Sequence, residues 1–573
     1  MSMEILSIPV LVLGGGTGAI GAALQCARSG TACLLITPGP WVGGMLTSSG
    51  VSAPDGNEIN PFQTGLWGAL LRQLRQTSLE GLDQNWVSCF GFRPGDAEAI
   101  FQSWIKAESQ LQWRSEYQLE EITKKDDRLL QARFSNETTL LVVNFDLLID
   151  GTELGDSLAL AQIPHRVGWE AKEKWGEPSA PSQVRINQDP FFKNQPVQSP
   201  TWVIFGKWLG DWSCSSSFKH LNQKPRFPFE NCLKPHGLLK TLSYGRLPGD
   251  WLMLNWPIDG NDWHDDPGAP FSGSPDRIAN HLMSMQEHSL SFLKELQCLS
   301  NSNLEPANAF PKGKANGSLA LQAYWRESRR LIGCSTVVEQ DLLVNNNNTK
   351  TDLIAIGNYP NDHHYPGQDW PLAPKSRPWG GRWSGTPFGI PFSALHGNDI
   401  INLIMADKGI SVSHIANGAT RLGPVVLNIG QAAGLAAAIC CDKNILPHQL
   451  DVMQLQIALI NDQIAPSAPS IIDNLPTYSK KWRQIQANAL KGEFELINPE
   501  QAPEEPGEEC IVMELNIQSE ENWKGRCGNV EWPLITLEPQ VKEQIEKFNG
   551  KRINIVGRCN PWGTWWRINR LLP

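Results

Sequence analysis

The sequence predicts an α/β chain whose parallel sheet is interrupted by an α+β insert and followed by a small β-rich domain. Three observations predict it. An apolar strand, a glycine turn and a helix open the chain. A second strand-to-helix unit, rich in Gly and Ala, follows residue 400. A Pro/Glu-rich stretch, Pro499 to Glu509, then sets off a tail of short alternating runs.

Val10 to Leu13 is apolar throughout, as a strand buried on both faces must be. It runs into Gly14, Gly15, Gly16, Thr17, Gly18 and Ala19, with Gly14, Gly16 and Ala19 in G-x-G-x-x-A spacing, and a helical run to Ser29. Cys33 to Ile36 reads as the second parallel strand. This is the strand–turn–helix–strand setting of a Rossmann-like dinucleotide site. Gly14 permits the tight turn, and Gly16 lets the backbone approach a pyrophosphate at the helix N-terminus. Ala19 is small enough for close helix–strand packing. The bland alternative is an ordinary βα turn. The acid that usually ends the second strand and holds a ribose is replaced by Thr37, whose hydroxyl makes a weaker bond than a carboxylate.

The first lobe, 1–159, continues with helices over Leu66–Leu74 and Ala97–Glu108 and with strands over Leu111–Asp150. Residues 160–340, rich in Trp, Pro and Asp, read as an α+β substrate-binding insert. Within it, Met253–Asp266 is either a pocket wall or a capped loop on a sheet edge. The first fold resumes over 341–465. There, Ile401–Met405 is a short strand, a helix starts near Pro424, and a last helix spans Pro447–Ile464. Residues 466–509 form a helical and linker segment. The tail, 510–573, reads as a small β-barrel with a helix at Pro539–Phe548. Its aromatic cluster fits a small core or a surface for a partner or sugar.

Composition narrows the function classes. The net charge of -10 and the absence of a Lys/Arg cluster argue against a nucleic-acid surface. The 12 Cys include no C-x-x-C pair and no Cys/His cluster, so no metal site is expected. Buried thiols in a reducing compartment point to a cytoplasmic protein. Ile8–Leu24 lacks a basic leader and is broken by glycines, which makes it a poor signal peptide. Gly423–Cys441 nears spanning length but holds Asn428 and Gln431, so no membrane span is expected.

Further motifs lie along the chain in a fixed order. Gly43, Gly44, Met45 and Thr47 follow the second strand. Asp150, Gly151 and Thr152, with Gly155 and Asp156, end a later one. Trp325–Gly333 reads WRESRRLIG and Tyr359–His364 reads YPNDHH. His414, Gly418, Thr420, Arg421, Gly430, Gln431 and Gly434 close the series. With this set the chain, over residues 8 to 465, resembles the FAD-dependent oxidoreductase family that includes xanthan-lyase-like flavoproteins and is related to the heterodisulfide reductase flavin subunit. It departs from the family's usual Gly-Arg at Asp407 and Lys408, and from its usual Ala at Gly151. The resemblance implies a Rossmann-like FAD-binding domain of the glutathione-reductase type. It also implies that Gly14–Ala19, Thr37, Gly43, Gly44, Met45, Asp150, Gly151, Thr152, Arg421, Leu422, Gly423, Pro424 and Val425 bind the cofactor. The positive end of the helix near Pro424 would stabilise charge on the reduced flavin.

The expected activity is hydride transfer between a small organic substrate, of which a sugar or polyol is one class, and the flavin. His414, just before the closing motif, is the first candidate base. The alternative is a packed histidine. Arg326 shares a predicted helix with Arg329 and Arg330 and could clamp an anionic group, though for any one of these arginines pairing with an acid is the commoner role. Asp362 and His364 could orient one another or cap a loop. No second fingerprint follows a strand, so electrons come from the substrate or from a separate protein donor or acceptor. A homo-oligomer is left open. A different class of reading is a flavin-containing assembly or redox-sensing protein that docks through its tail. The acidic balance counts against a tRNA-modifying flavoprotein.

Overall fold

Val10–Leu13 and Cys33–Ile36 are wholly buried, as their unbroken apolar runs require, and they pair in parallel from Val10 with Cys33 to Leu13 with Ile36. The computed structural model describes the whole chain except residues 1, 79, 213–223, 258, 312, 345–349, 368–369 and 573. Its central sheet is built from β1 (Ser2–Leu13), β2 (Cys33–Ile36), β3 (Leu111–Arg114), β4 (Gln118–Lys125), β5 (Arg128–Ser135), β6 (Thr139–Asp150) and β7 (Leu403–Met405). β3, β2, β1, β6 and β7 are parallel and adjacent in that order. The β4–β5 hairpin adds antiparallel to the first half of β6. β1 is longer than expected, because Ser2–Ile8 also pairs with Thr139–Phe145 and leaves Met3 and Ile5 to solvent.

Helix α1 (Thr17–Arg28) crosses α2 (Gly423–Lys443) along a stripe of small residues. A Cβ on Gly430 would overlap Gly18 O, and one on Gly434 would overlap Ala22 O. The two backbones therefore touch, and larger side chains would drive the helices apart. α2 is long and apolar enough to cross a membrane by length and composition, but 89% of its apolar window is buried inside the fold. Its polar residues have work there. Gln431 Oε1 accepts the Leu66 N–H at 2.9 Å and Asn428 Oδ1 the Trp67 N–H at 3.1 Å, capping the helix Gly65–Thr77. Gln431 Nε2 donates to Ala465 O at 2.7 Å. Replacing Gln431 by Leu strands two buried backbone groups, so unfolding in urea should show a loss of about 2–4 kcal/mol. An unchanged midpoint would contradict this account.

Between β6 and β7 in the chain comes a four-stranded antiparallel sheet in the order Leu304–Pro306, Ile204–Trp208, Trp251–Leu254, Arg246–Leu247, accompanied by the helix Pro275–Leu299. Two elements differ from expectation. Trp325–Gly333 is not helical. Its backbone is committed elsewhere, with Arg329 N donating to Leu154 O and Leu331 N to Gly409 O, and Arg330–Leu331 pairing with His165–Arg166. The helix expected over Pro447–Ile464 is broken, because the Asp451 carboxylate accepts Met453 N at 3.0 Å and starts a new helix at Val452.

The tail is a closed barrel of Glu509–Ser519, Asn522–Cys527, Val530–Thr536, Trp565–Leu572 and Arg552–Asn560. Trp523 and Trp566 sit in its core with Met513, Leu534 and Ile568, so these tryptophans are packing residues. Buried polar bonds join barrel to body. Arg567 meets Asp83 at 3.1 Å, and Asn560 Nδ2 donates to Asp83 Oδ1 at 2.6 Å.

Candidate functional site

The glycine turn wedges between the carboxyl ends of β6 and β7. Gly14 has φ +94°, and a Cβ there would lie 2.7 Å from Thr152 Cα. Cβ atoms on Gly16 and Gly18 would overlap Gly151 O and Ala406 O. Gly151 faces Ala19, whose Cβ would lie 2.5 Å from a Cβ at 151, so the departure from alanine is what this close approach needs. Asp150 braces the next turn, accepting from Thr152 N at 2.8 Å and Ser157 N at 3.0 Å, and from both hydroxyls. Thr17 Oγ1 donates to Gly43 O at 2.8 Å, which ties the Gly43–Gly44–Met45 segment to the start of α1.

Beside this turn lies a buried charge cluster. Asp407 Oδ2 accepts Gly18 N at 2.8 Å. Lys408 bridges Asp407 Oδ1, at 3.2 Å, and Glu153. Burial opposes the charge on Lys408, but the two carboxylates overcome it and raise its pKa. Burial also raises Glu153, and Lys408 partly offsets this.

Two cavities flank the segment Leu321–Trp325. A larger one, 640 Å³, lies at the carboxyl ends of β1 and β2, lined by Leu13, Gly14, Ile36, Gly39, Thr152 and Arg329 among others. β1 stands between β2 and β6, so this is the switch point of the sheet, where such folds bind dinucleotides. The second, 30 Å³, is lined by Met45 and Leu46, by Leu422 and Gly423 at the start of α2, and by Asp55, Asn255, Tyr324, Arg326, Asp362, His364 and Arg421. Gly423 is held against Leu46, whose Cδ2 would lie 2.6 Å from a Cβ there.

The polar side of the small cavity is a chain of alternating charges. Arg326 pairs with Asp262 at 3.0 Å. Asp262 meets His364 Nδ1 at 2.8 Å, His364 Nε2 meets Asp362 at 2.6 Å, and Asp362 meets Arg421 at 3.2 Å. Burial and Arg326 oppose a charge on His364, yet the two carboxylates prevail and raise its pKa. Burial would raise Asp362, but His364 and Arg421 hold it well below the usual carboxylate range. Both imidazole nitrogens thus face carboxylates, which leaves His364 no ring nitrogen free on that wall.

Three expectations need correction. His414 is fully buried and lines neither cavity. Its Nε2 bonds Tyr365 Oη at 2.6 Å, its Nδ1 faces Glu327 at 3.0 Å, and its ring lies 4.0 Å from that of Trp169. It is a packed histidine. His364 has both ring nitrogens engaged by Asp262 and Asp362, so it offers no free nitrogen to act as a base. Arg326 is no free clamp, since Asp262, Ser199 O and Thr201 Oγ1 hold its guanidinium. Thr37 is buried and donates its one proton to Gly39 O at 2.8 Å, so toward a ribose it can only accept. Pro424 and Val425 follow Gly423 into the buried first turn of α2, and Gly15 lies against Trp41 O. Of the Met253–Asp266 stretch, Asn255 lines the small cavity and Asp262 stands behind it, while Ile258 falls outside the described residues. Asp55, Tyr244 and Tyr324 went unnoticed in the sequence; Asp55 lies eight residues past Thr47, in an Asp-Gly pair that reads as a turn.

A family model described as FAD dependent oxidoreductase matches residues 9–459. The chain belongs to the FAD dependent oxidoreductase family. Its cofactor is FAD, and the residues fit it: a glycine turn in backbone contact with its neighbours opens onto the larger cavity at the sheet's switch point, and the start of α2 faces the smaller one. No curated protein sequence matches this FAD oxidoreductase. A geranylgeranyl bacteriochlorophyll reductase-like protein from Thermoplasma acidophilum is similar at 10% identity and a TM-score of 0.34, over 85% of this chain and 88% of that one. A flavin-dependent brominase triple mutant is similar at 10% identity and a TM-score of 0.33, over 78% and 82%. For the L-proline dehydrogenase from P. horikoshii the values are 12% and 0.17, and this chain spans only 23% of that protein's length. Likeness this low does not bear on the substrate.

Proposed function

We propose that this FAD oxidoreductase oxidises or reduces a small, neutral, hydroxyl-bearing molecule, such as a sugar or polyol, against the polar wall between Met45 and Gly423, where the 30 Å³ space must widen to admit it. One observation carries the reading: a single cavity joins Met45 and Leu46 and the Leu422–Gly423 segment to a polar wall on which Arg326, Asp262, His364, Asp362 and Arg421 already partner one another. An added substrate charge would find no free counterion in the Arg326–Asp262–His364–Asp362–Arg421 chain. Uncharged hydrogen-bonding groups need no counterion. The Nε of Arg326 and Arg421 and Oδ1 of Asn255 are buried and unbonded among the described residues, two donors and one acceptor. A site built to bond hydroxyls discriminates strongly against analogues that lack them.

When bound, FAD supplies hydride acceptance or donation. The chain's own residues do the rest. Arg421, fixed by Asp362 and Tyr324, presents its guanidinium edge. His364, Asp262 and Asp362 keep that wall rigid, which favours one orientation of the substrate. The purified protein should show a flavin absorption spectrum. It should bleach without oxygen on adding a sugar or polyol, and not with simple amines. A protein that takes up no flavin, or is bleached by amines alone, would sink this reading.

A further inference from the structure

Asp55 lines the small cavity beside Arg421, Asp362 and His364. Its backbone is pinned on both sides. Pro54 O accepts from Ser88 Oγ at 2.5 Å, and Asn57 N donates to Asn358 O at 3.1 Å. The Asp55 carboxylate itself makes no hydrogen bond or ion pair with the described residues, and its surroundings act on it only by burial and distant charge. Every other ionisable group on that wall is committed. Asp362 and Asp262 each face a His364 nitrogen and pair with an arginine, which leaves His364 no ring nitrogen free. Tyr244 and the nearby Tyr359 are pushed well above the ordinary phenol value by burial, so they hold their protons.

We propose that Asp55 is the catalytic residue that takes the substrate's hydroxyl proton on oxidation and returns it on reduction. This rests on the oxidoreductase reading above. In the oxidation, the O–H bond breaks and its proton joins an Asp55 carboxylate oxygen. The C–H bond on the same carbon breaks and its electron pair leaves with the hydrogen as hydride, with the family's FAD as oxidant. A C=O bond forms, and the substrate has lost two electrons and two hydrogens.

The electrostatics support the assignment. Burial, then Asp362 and Glu58, raise the Asp55 carboxyl to about 8, while Arg421 and His364 oppose the rise. A base poised near the working pH is the efficient kind. The fraction that is ionised, and able to accept, grows as pH rises through about 8. Oxidation should therefore speed up as pH rises through that value and then level off.

The test compares the FAD-loaded wild type, Asp55→Asn and Asp55→Glu. The visible spectrum is first titrated from about pH 6 to 10, a span chosen to bracket the raised carboxyl. The wild type should show a small band shift centred on the Asp55 ionisation, and Asp55→Asn should keep its flavin but lose the shift. Anaerobic bleaching by saturating sugar or polyol should slow by about 10²–10⁴-fold in Asp55→Asn, with the pH step abolished and partly restored in Asp55→Glu. An unchanged spectral titration in Asp55→Asn, or bleaching at the wild-type rate and pH profile, overturns the proposal. A wild type without flavin overturns the oxidoreductase reading instead. If no panel compound bleaches the wild type, the spectral titration alone decides for or against Asp55.

Discussion

Replacing Gly18 by alanine should unfold the nucleotide end of the sheet and leave a protein that purifies without FAD. The added Cβ would sit on the carbonyl oxygen of Ala406 and close to Asp407 Cα, which lies 3.0 Å away. Both are backbone atoms at the end of β7, and no rotamer change can move them. α1 cannot retreat, because on its other side Gly18 O already touches Gly430 of α2. Overpacking that a side chain cannot relieve costs about 3 kcal/mol or more. The shift would also break the bond from Gly18 N to Asp407 at the helix N-terminus. Gly39→Ala is the control. It lines the larger cavity, and a Cβ there meets nothing within 4 Å, so its stability should stay within about 0.5 kcal/mol of wild type. Thermal unfolding and flavin content of the two variants decide the matter. A Gly18→Ala protein with the wild-type melting temperature and full FAD would refute the packing account.

The glycine turn was legible in the sequence because its constraint is local. A positive φ admits glycine at Gly14 and Gly43 and little else, and at Gly14 a close backbone approach adds to it. The barrel was legible for a similar reason, since short alternating runs and turns repeat over a few dozen residues. The polar wall was legible only as separate candidates, Arg326, Asp362, His364 and Arg421, and not as one wall. Asp55, Asn255, Tyr324, Asp362 and Arg421 come from five separate segments, and no spacing in any one of them announces the others. Helical spacing misled at Arg326, Arg329 and Arg330, where tertiary partners such as Asp262 and Glu170 hold the guanidiniums and an irregular backbone delivers them. His414 misled because its position before Arg421 was visible, while the Tyr365, Glu327 and Trp169 that enclose it were not.

Asp407 and Lys408 were visible as a departure from the family pattern, but the residue that completes them, Glu153, was not, and the largest electrostatic effect follows from it. Lys408→Met should lose about 3–5 kcal/mol, the usual result of removing one partner from a buried ionic cluster. The Lys408 side chain is fully buried and Glu153 is 12% exposed, so water cannot replace the lost cation. Two carboxylates would then face each other beside the glycine turn and repel the anionic pyrophosphate that the turn admits, so flavin content should fall as well. The loss has a pH signature. Burial already raises Glu153, and without Lys408 it rises further above its unfolded value. A carboxyl raised in the fold contributes stability that is present below its unfolded pKa and lost as pH climbs through the folded one. The variant should therefore approach wild type near pH 5, about where an unfolded glutamate gains its proton, and fall furthest behind above neutrality. Adding Glu153→Gln should recover much of the deficit at high pH, because only Asp407 would remain charged, and it keeps the Gly18 N–H as partner. A double-mutant cycle by urea unfolding at two pH values measures this coupling. If the two substitutions prove additive at both, Lys408 acts through its packing and not as the counterion of the nucleotide turn.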